Sequence, residues 1–162
     1  RDKLREAFLA MIAQSDAQAR GYALERLLNE LFNLEGLRPR GAFKLVGEQI
    51  DGSFSWRNQT HLLEARWATD QVAGLGFSSL IYKIEGKTAD TRGLFISING
   101  YSQEAIKGLR YKGELRFVCI DGAHLIRALE AGGSLISVLE TVWRHADETG
   151  EAYLPVSNMH QG

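Results

Sequence analysis

Three residues in the middle of the chain have types and spacing that could do chemistry together. Asp51 lies in Glu48-Gln49-Ile50-Asp51-Gly52, and Glu64 and Arg66 lie in Leu63-Glu64-Ala65-Arg66-Trp67. Both segments read as strands, and strand alternation sends Glu64 and Arg66 to one face with Ala65 opposite. Pairing of the two strands would bring the Asp51 and Glu64 carboxylates together at one end. Two such groups repel unless something positive sits between them. Mg²⁺ or Mn²⁺ suits that place: Mg²⁺ takes hard oxygen ligands, keeps several waters, and typically uses one or two carboxylates plus a substrate phosphate. Coordination lowers the pKa of a bound water and neutralises phosphate charge. A cation beside the acids, here Arg66, then stabilises the charge that builds up in the transition state. The chemistry expected is metal-assisted phosphodiester hydrolysis.

The neighbouring polar residues have lesser expected roles. Gln49 points away from Ile50 and could orient a water or contact a phosphate, and Glu48 reads as a turn residue. Arg38, Arg40, Lys44, Arg57, Lys83, Lys87 and Arg92 flank the trio in sequence and are candidates for phosphate contacts, which position a polymer without reading bases. His61, His124, His145 and His160 lack metal-ligand spacing and read as structural or exposed. Cys119, alone in Phe117-Val118-Cys119-Ile120, can form neither an intrachain disulfide nor a cysteine-based zinc site and reads as packing.

These residues need a scaffold, and its pattern is legible. Leu4, Phe8, Met11 and Ile12 mark an amphipathic helix. Gly21 then separates it from a second helix, with Leu24, Leu27, Leu28 and Leu31 on one stripe and Gly36 as its terminator. After Pro39 the pattern turns to strands at 42–46, 49–56 and 61–67, with turns at Gly47 and Arg57-Asn58-Gln59, which predicts a three-stranded antiparallel meander. Residues 77–86 read as a helix. Two continuous apolar strands, 93–98 and 115–120, are joined by a helix at 102–109, the signature of a parallel βαβ unit covered on both faces. Helices at 123–131 and 134–147 follow, the latter capped by Ser134. The fold class is therefore α/β: a mixed sheet, antiparallel meander plus parallel strands, flanked by helices.

At 162 residues the chain has the size of one domain with an ordinary core. The net charge of −1 argues against a generally basic coat, but the charge is unevenly spread. Residues 36–120 carry twelve basic and eight acidic groups, and residues 121–162 carry two and six, a distribution that suits a local phosphate-binding face. No apolar run approaches the length of a membrane span and no signal-peptide pattern opens the chain, so a cytoplasmic setting with no membrane partner is expected. A start at Arg1 is the pattern of a domain cut from a longer protein, with a sensor or recognition domain expected elsewhere.

Asp51, Glu64 and Arg66 resemble the D…(D/E)-x-K signature of the PD-(D/E)xK restriction-endonuclease-like superfamily. Gly21-Tyr22-Ala23-Leu24-Glu25-Arg26-Leu27-Leu28 resembles the opening helix of its Mrr-type members. Gly93–Ser97, Tyr101–Ala105 and Val118–Gly122 resemble later strands and the helix between them. The resemblance covers roughly residues 20–131. It implies an endonuclease acting on DNA, often in bacterial restriction or defence, and a metal cluster that Glu25 joins beside Asp51 and Glu64. It divides the chain into an N-terminal helix (1–20), a nuclease-like core (21–131) and a C-terminal helix and tail (132–162) packed on the same domain.

The departure from the family is Arg66 in the lysine position. Arginine stays charged and cannot act as a base, whereas lysine can lose its proton when buried. Arg66 could be an electrostatic clamp, or Lys83 or Lys87 could reach in from the following helix, or the domain could be a catalytically weak DNA-binding module. A different class is a protein-interaction domain that docks a partner through its acidic last third. Cutting both strands would call for a C₂ homodimer. The apolar residues Leu135, Ile136, Val138, Leu139, Val142 and Trp143 could serve an interface but are expected to pack in the core. Tyr153-Leu154-Pro155-Val156 could pair with a sheet edge.

Overall fold

The computed structural model of the chain describes residues 1–110 and 113–159, so His160 lies outside the described residues. Two amphipathic helices open it, α1 (Asp2–Ile12) and α2 (Ala17–Leu34). The second begins ahead of Gly21, because the Asp16 side chain accepts hydrogen bonds from the N–H groups of Gln18 and Ala19. Such a cap contributes about 1 kcal/mol, comparable with the ~1 kcal/mol that a glycine costs inside a helix. The expected break at Gly21 is therefore absent.

The strands follow: β1 (Phe43–Leu45), β2 (Glu48–Ile50), β3 (Gly52–Trp56) and β4 (Gln59–Arg66). Then come α3 (Ser78–Glu85), β5 (Arg92–Ser97), α4 (Gln103–Leu109), β6 (Phe117–Asp121), α5 (Gly122–Leu129) and α6 (Leu135–Thr149). The main sheet has the order β3-β4-β5-β6. Its β3–β4 pair is antiparallel, and β4–β5 and β5–β6 are parallel. This mixed sheet between helices is the architecture expected from the sequence. The antiparallel part differs in detail. The expected strand 49–56 breaks at Asp51, where the chain leaves a separate β1–β2 sheet and enters β3. At the β3–β4 turn Arg57 and Asn58 both have positive φ, 52° and 62°, the backbone that two-residue hairpins favour because it matches strand twist.

Side chains from the sheet feed two cores. On one face Phe54, Leu63, Leu94, Ile96, Val118 and Ile120 pack against α1, α2, α5 and α6, whose Leu139, Val142 and Trp143 are buried there. The apolar stripe of α6 is thus core, as expected. On the other face Ile50, Leu62, Phe95 and Cys119 meet Phe77, Leu80 and Ile84 of the α3 region. The continuous apolar sequences of β5 and β6 follow from this two-sided burial. The C-terminal segment covers the open edge of β6: Tyr153 bridges Cys119, and the Cys119 N–H donates to the Ala152 carbonyl at 2.9 Å. It is also clamped by polar groups. The Tyr153 hydroxyl donates to Asp121 Oδ2 at 2.5 Å, and His124 Nε2 donates to the Leu154 carbonyl at 2.9 Å. Among the described residues no helix is long and apolar enough to cross a membrane.

His61 is 1% exposed, stacked on Phe54 with ring centroids 4.9 Å apart and met edge-on by Trp143. Burial, reinforced by the nearby Arg92 charge, lowers its pKa from 6.5 to about 4. The native state therefore resists a proton that the unfolded chain accepts, so this contribution to stability is complete above pH 6.5 and is lost as pH falls toward 4. At ~1.4 kcal/mol per pH unit the loss is on the order of 3 kcal/mol. Urea unfolding at pH 7 and pH 4.5 should show that loss in the native chain and a much smaller one in His61→Leu. Equal losses in both would remove His61 as the cause.

Candidate active site

β4 and β5 run parallel, and the carboxyl end of such strands is where open α/β sheets place their sites. Glu64 and Arg66 stand at that end of β4. Both are on the α3 face, with Leu62 below them and Phe95 opposite Glu64 on β5. Gly52 pairs with Leu63 as the last pair of the β3–β4 register, so Asp51 reaches the same end, one step beyond. There the ladder has ended, and Asp51 Oδ2 accepts the free Ala65 N–H at 3.1 Å. Space beside it at Gly52 is tight because the Arg40 backbone pairs antiparallel with Ser53, exchanging hydrogen bonds at 2.8 and 2.9 Å. A Cβ at position 52 would stand 3.1 Å from the Arg40 carbonyl oxygen.

Glu64 is the anomaly of the sheet, a carboxylate only 5% exposed. Arg66 Nη2 donates to its Oε2 at 2.8 Å, and Lys83 Nζ of α3 lies 3.9 Å from Oε1. That ammonium is beyond hydrogen-bond reach, and Oε1 is buried with no hydrogen-bond partner. Burial raises the pKa of Glu64; Arg66 and then Lys83 oppose the rise, and Asp51 adds to it. The Arg66 guanidinium also lies 5.3 Å from the centre of the Phe95 ring. The loop before α3 closes against it at Gly76, where a Cβ would stand 2.4 Å from Val72 Cγ1 and 3.5 Å from Arg66 Nη1. Sequence reading missed this loop, although Gly74 and Gly76 flanking Leu75 are a signal of close backbone approach.

Glu25 lies exposed on α2, across the sheet from α3. Burial and then the Asp51 charge raise its pKa, so its carboxylate is within electrostatic range of Asp51. Among the described residues, however, no three His, Cys, Asp or Glu side chains cluster closely enough to hold an ion. Asp51 and Glu64 fit a hard divalent cation better as a pair: both offer oxygens, they repel each other, and the buried Oε1 lacks a donor. An ion held there by two carboxylates would also need water or substrate oxygens.

The remaining predicted residues divide. Gln49 is exposed on β2, paired with Lys44 of β1. Lys87 is engaged elsewhere, its Nζ 2.9 Å from Glu48 Oε2 and 3.1 Å from the Lys83 carbonyl, so Glu48 braces α3 rather than serving as a simple turn residue. Arg38, Arg40 and Lys44 are exposed in the segment leading to β2. Arg57 and Arg92 are not brought to the site. Arg57 lies at the far turn of the β3–β4 pair, over the Trp56 ring at 4.4 Å and near Glu140 at 3.4 Å. Arg92 begins β5 over the Trp143 ring at 4.2 Å and near Asp147 at 3.7 Å.

No protein-family model matches the chain, and no curated protein matches it in sequence. Among solved structures it is similar to a crystal structure of a protein of unknown function, AF1548, with a TM-score of 0.45 and 11% identity over 78% of this chain and 77% of that one. It is also similar to the MspJI restriction endonuclease in complex with a 27-mer oligonucleotide. The TM-score there is 0.44 with 18% identity, covering 80% of this chain but 31% of that one. Likenesses this loose carry no functional argument. The fold and the site together define a mixed α/β domain with a paired-carboxylate site at the carboxyl end of its sheet.

The electrostatic account of Glu64 is testable by carboxyl ¹³C NMR. Arg66→Met and Lys83→Met should each move its titration upward from the native position, Arg66→Met by more. Titration unchanged in both would mean that neither cation keeps Glu64 ionised.

Proposed function

We propose that this domain is a divalent-metal-dependent endonuclease that hydrolyses DNA phosphodiester bonds. The observation that carries the reading is Glu64 Oε1, buried without a donor beside Asp51 and two cations. A buried charged acceptor is costly to leave unsatisfied, and an ion shared with Asp51 would satisfy it. Mg²⁺ or Mn²⁺ bound there supplies an acidified water and a Lewis acid for the phosphate. Asp51 and Glu64 hold the ion, and Glu25 adds negative field from α2. Arg66, permanently charged, stabilises the phosphate in the transition state. Lys83 shares the buried carboxylate and is compact enough to hold the attacking water. The restriction or defence setting is what the sequence resemblance adds.

Supercoiled plasmid incubated with Mg²⁺ or Mn²⁺ should be nicked. Asp51→Asn and Glu64→Gln should each lower the rate at least about a hundredfold, as loss of one charge-stabilising group commonly does. Asp51→Asn should not lower the melting temperature, because its amide oxygen still accepts from Ala65 and one of the repelling charges is gone. A native protein that leaves plasmid intact with both metals, or an Asp51→Asn variant that cuts at the native rate, would end the hydrolytic reading.

A second reading has one observation in its favour: Arg66 is already ion-paired with Glu64, and among the described residues no third acid completes a cluster. A domain that only binds would shift DNA mobility without metal-dependent cleavage, and would bind more tightly in Asp51→Asn and Glu64→Gln.

A further inference from the structure

The β1–β2 hairpin is the element the site does not explain. It forms its own two-stranded sheet, and its last pair, Leu45 with Glu48, leaves a two-residue turn of Val46 and Gly47. Turns of that length select Asn, Asp or Gly. Here a β-branched apolar residue stands at the tip with a relative exposure of 104%, next to Leu45 at 42%. The base, by contrast, is fixed. Ile50 there is 1% exposed in the core, and nearer the turn Glu48 is tied to Lys87 at 2.9 Å. That ion pair neutralises the one acidic side chain of the hairpin. The groups left on its outer surface are the cross-strand pair Lys44 and Gln49. Exposed Arg38 lies just before it, held in a left-handed conformation at φ 50°.

A firmly based ribbon with a cationic and amide surface and an apolar tip is complementary to a polyanion with stacked apolar bases. The major groove of a duplex admits a two-stranded ribbon, and DNA-bending proteins that bind the minor groove insert apolar side chains between base steps and unstack them. β2 also runs directly into Asp51. The three residues of β2 and about one further step at the turn, ~3.3 Å each, put the Val46 tip roughly 13 Å from Asp51. At 3.4 Å per nucleotide that is about four nucleotides along a strand. On the strength of the phosphodiester reading above, we propose that the hairpin is the duplex-engaging arm of that site: Lys44 and Gln49 lie against phosphates and Val46 wedges into the base stack a few nucleotides from the scissile bond.

Three measurements on the native chain, Val46→Ser and Lys44→Ala test this: anisotropy binding to a short DNA duplex without divalent metal, fluorescence of 2-aminopurine placed at several steps of that duplex, and plasmid nicking with Mn²⁺. The native chain should bind and raise the 2-aminopurine signal. Val46→Ser should remain folded by circular dichroism and lose most of that rise. Lys44→Ala should keep the rise at saturation but bind more weakly and reduce the salt slope by about one. A native chain that nicks plasmid while its 2-aminopurine signal stays flat, or is matched by Val46→Ser, overturns the hairpin's role and leaves the nuclease reading standing. A native chain that neither binds nor nicks removes both. Sedimentation showing a dimer that Val46→Ser dissolves would assign the tip to a second copy of the chain and overturn the proposal.

Discussion

Removing the Glu64 carboxylate from water is the constraint to which the rest of the site answers. A charge on a sheet face, under a helix and beside Phe95, loses hydration that no single ion pair restores in full. The chain supplies two cations, but unequally. Arg66 makes a short hydrogen bond to one oxygen, whereas Lys83 stops 3.9 Å from the other. A stability-optimised sheet would place a leucine at position 64, as β4 does at 62 and 63. Keeping a carboxylate there with an oxygen unsatisfied is the kind of local violation expected where chemistry, rather than folding, sets the residue.

Asp51 owes its part to the change of sheets. A residue inside a ladder has its neighbours' backbone groups already paired. At the junction between β2 and β3 the ladder stops, the Ala65 N–H is left open, and a carboxylate can both accept it and face Glu64. The Arg40 backbone paired with Ser53 and the tight space at Gly52 fix the junction. The Glu48–Lys87 pair ties it to α3, the helix that carries Lys83. β2 thus touches both the acid at its end and, through Lys87, the turn of α3 that carries the ammonium.

Local pattern made much of this legible. Glu64 and Arg66 share a face because strand periodicity is two, and β5 and β6 read as doubly covered strands because their apolar runs are unbroken. What local pattern could not carry is partner choice over distance. Residues 49–56 look like one strand until it is known that Gln49 pairs with Lys44 and Phe54 with His61. Gly21 reads as a break until the Asp16 cap is seen. Proximity in sequence also misled for Arg57 and Arg92: each follows or begins a strand at the end away from Glu64, where Trp56 and Trp143 hold their guanidinium groups. His61 is of the same kind, a polar letter whose surroundings come from β3 and α6.

These commitments bear on how such a site could hold a polymer. Of the basic residues in the middle of the chain, Arg57, Arg66, Lys83, Lys87, Arg92, Arg110 and Arg116 are engaged by carboxylates, ring faces or carbonyls. Much of the positive charge that the sequence concentrates there is thus engaged by the protein's own groups, although Arg57 and Arg110 stay exposed. The side chains of Arg38 and Lys44, on the approach to β2, and of Lys107 on α4 make no hydrogen bond or ion pair among the described residues. With only a few free cations among the described residues, counterion release alone gives weak binding that fades quickly as salt rises. On the nuclease reading, affinity must then come from the ion between the two carboxylates, from apolar contact with bases, or from another domain. The first two meet at the Asp51 junction, where the exposed hairpin becomes the strand that pairs with β4.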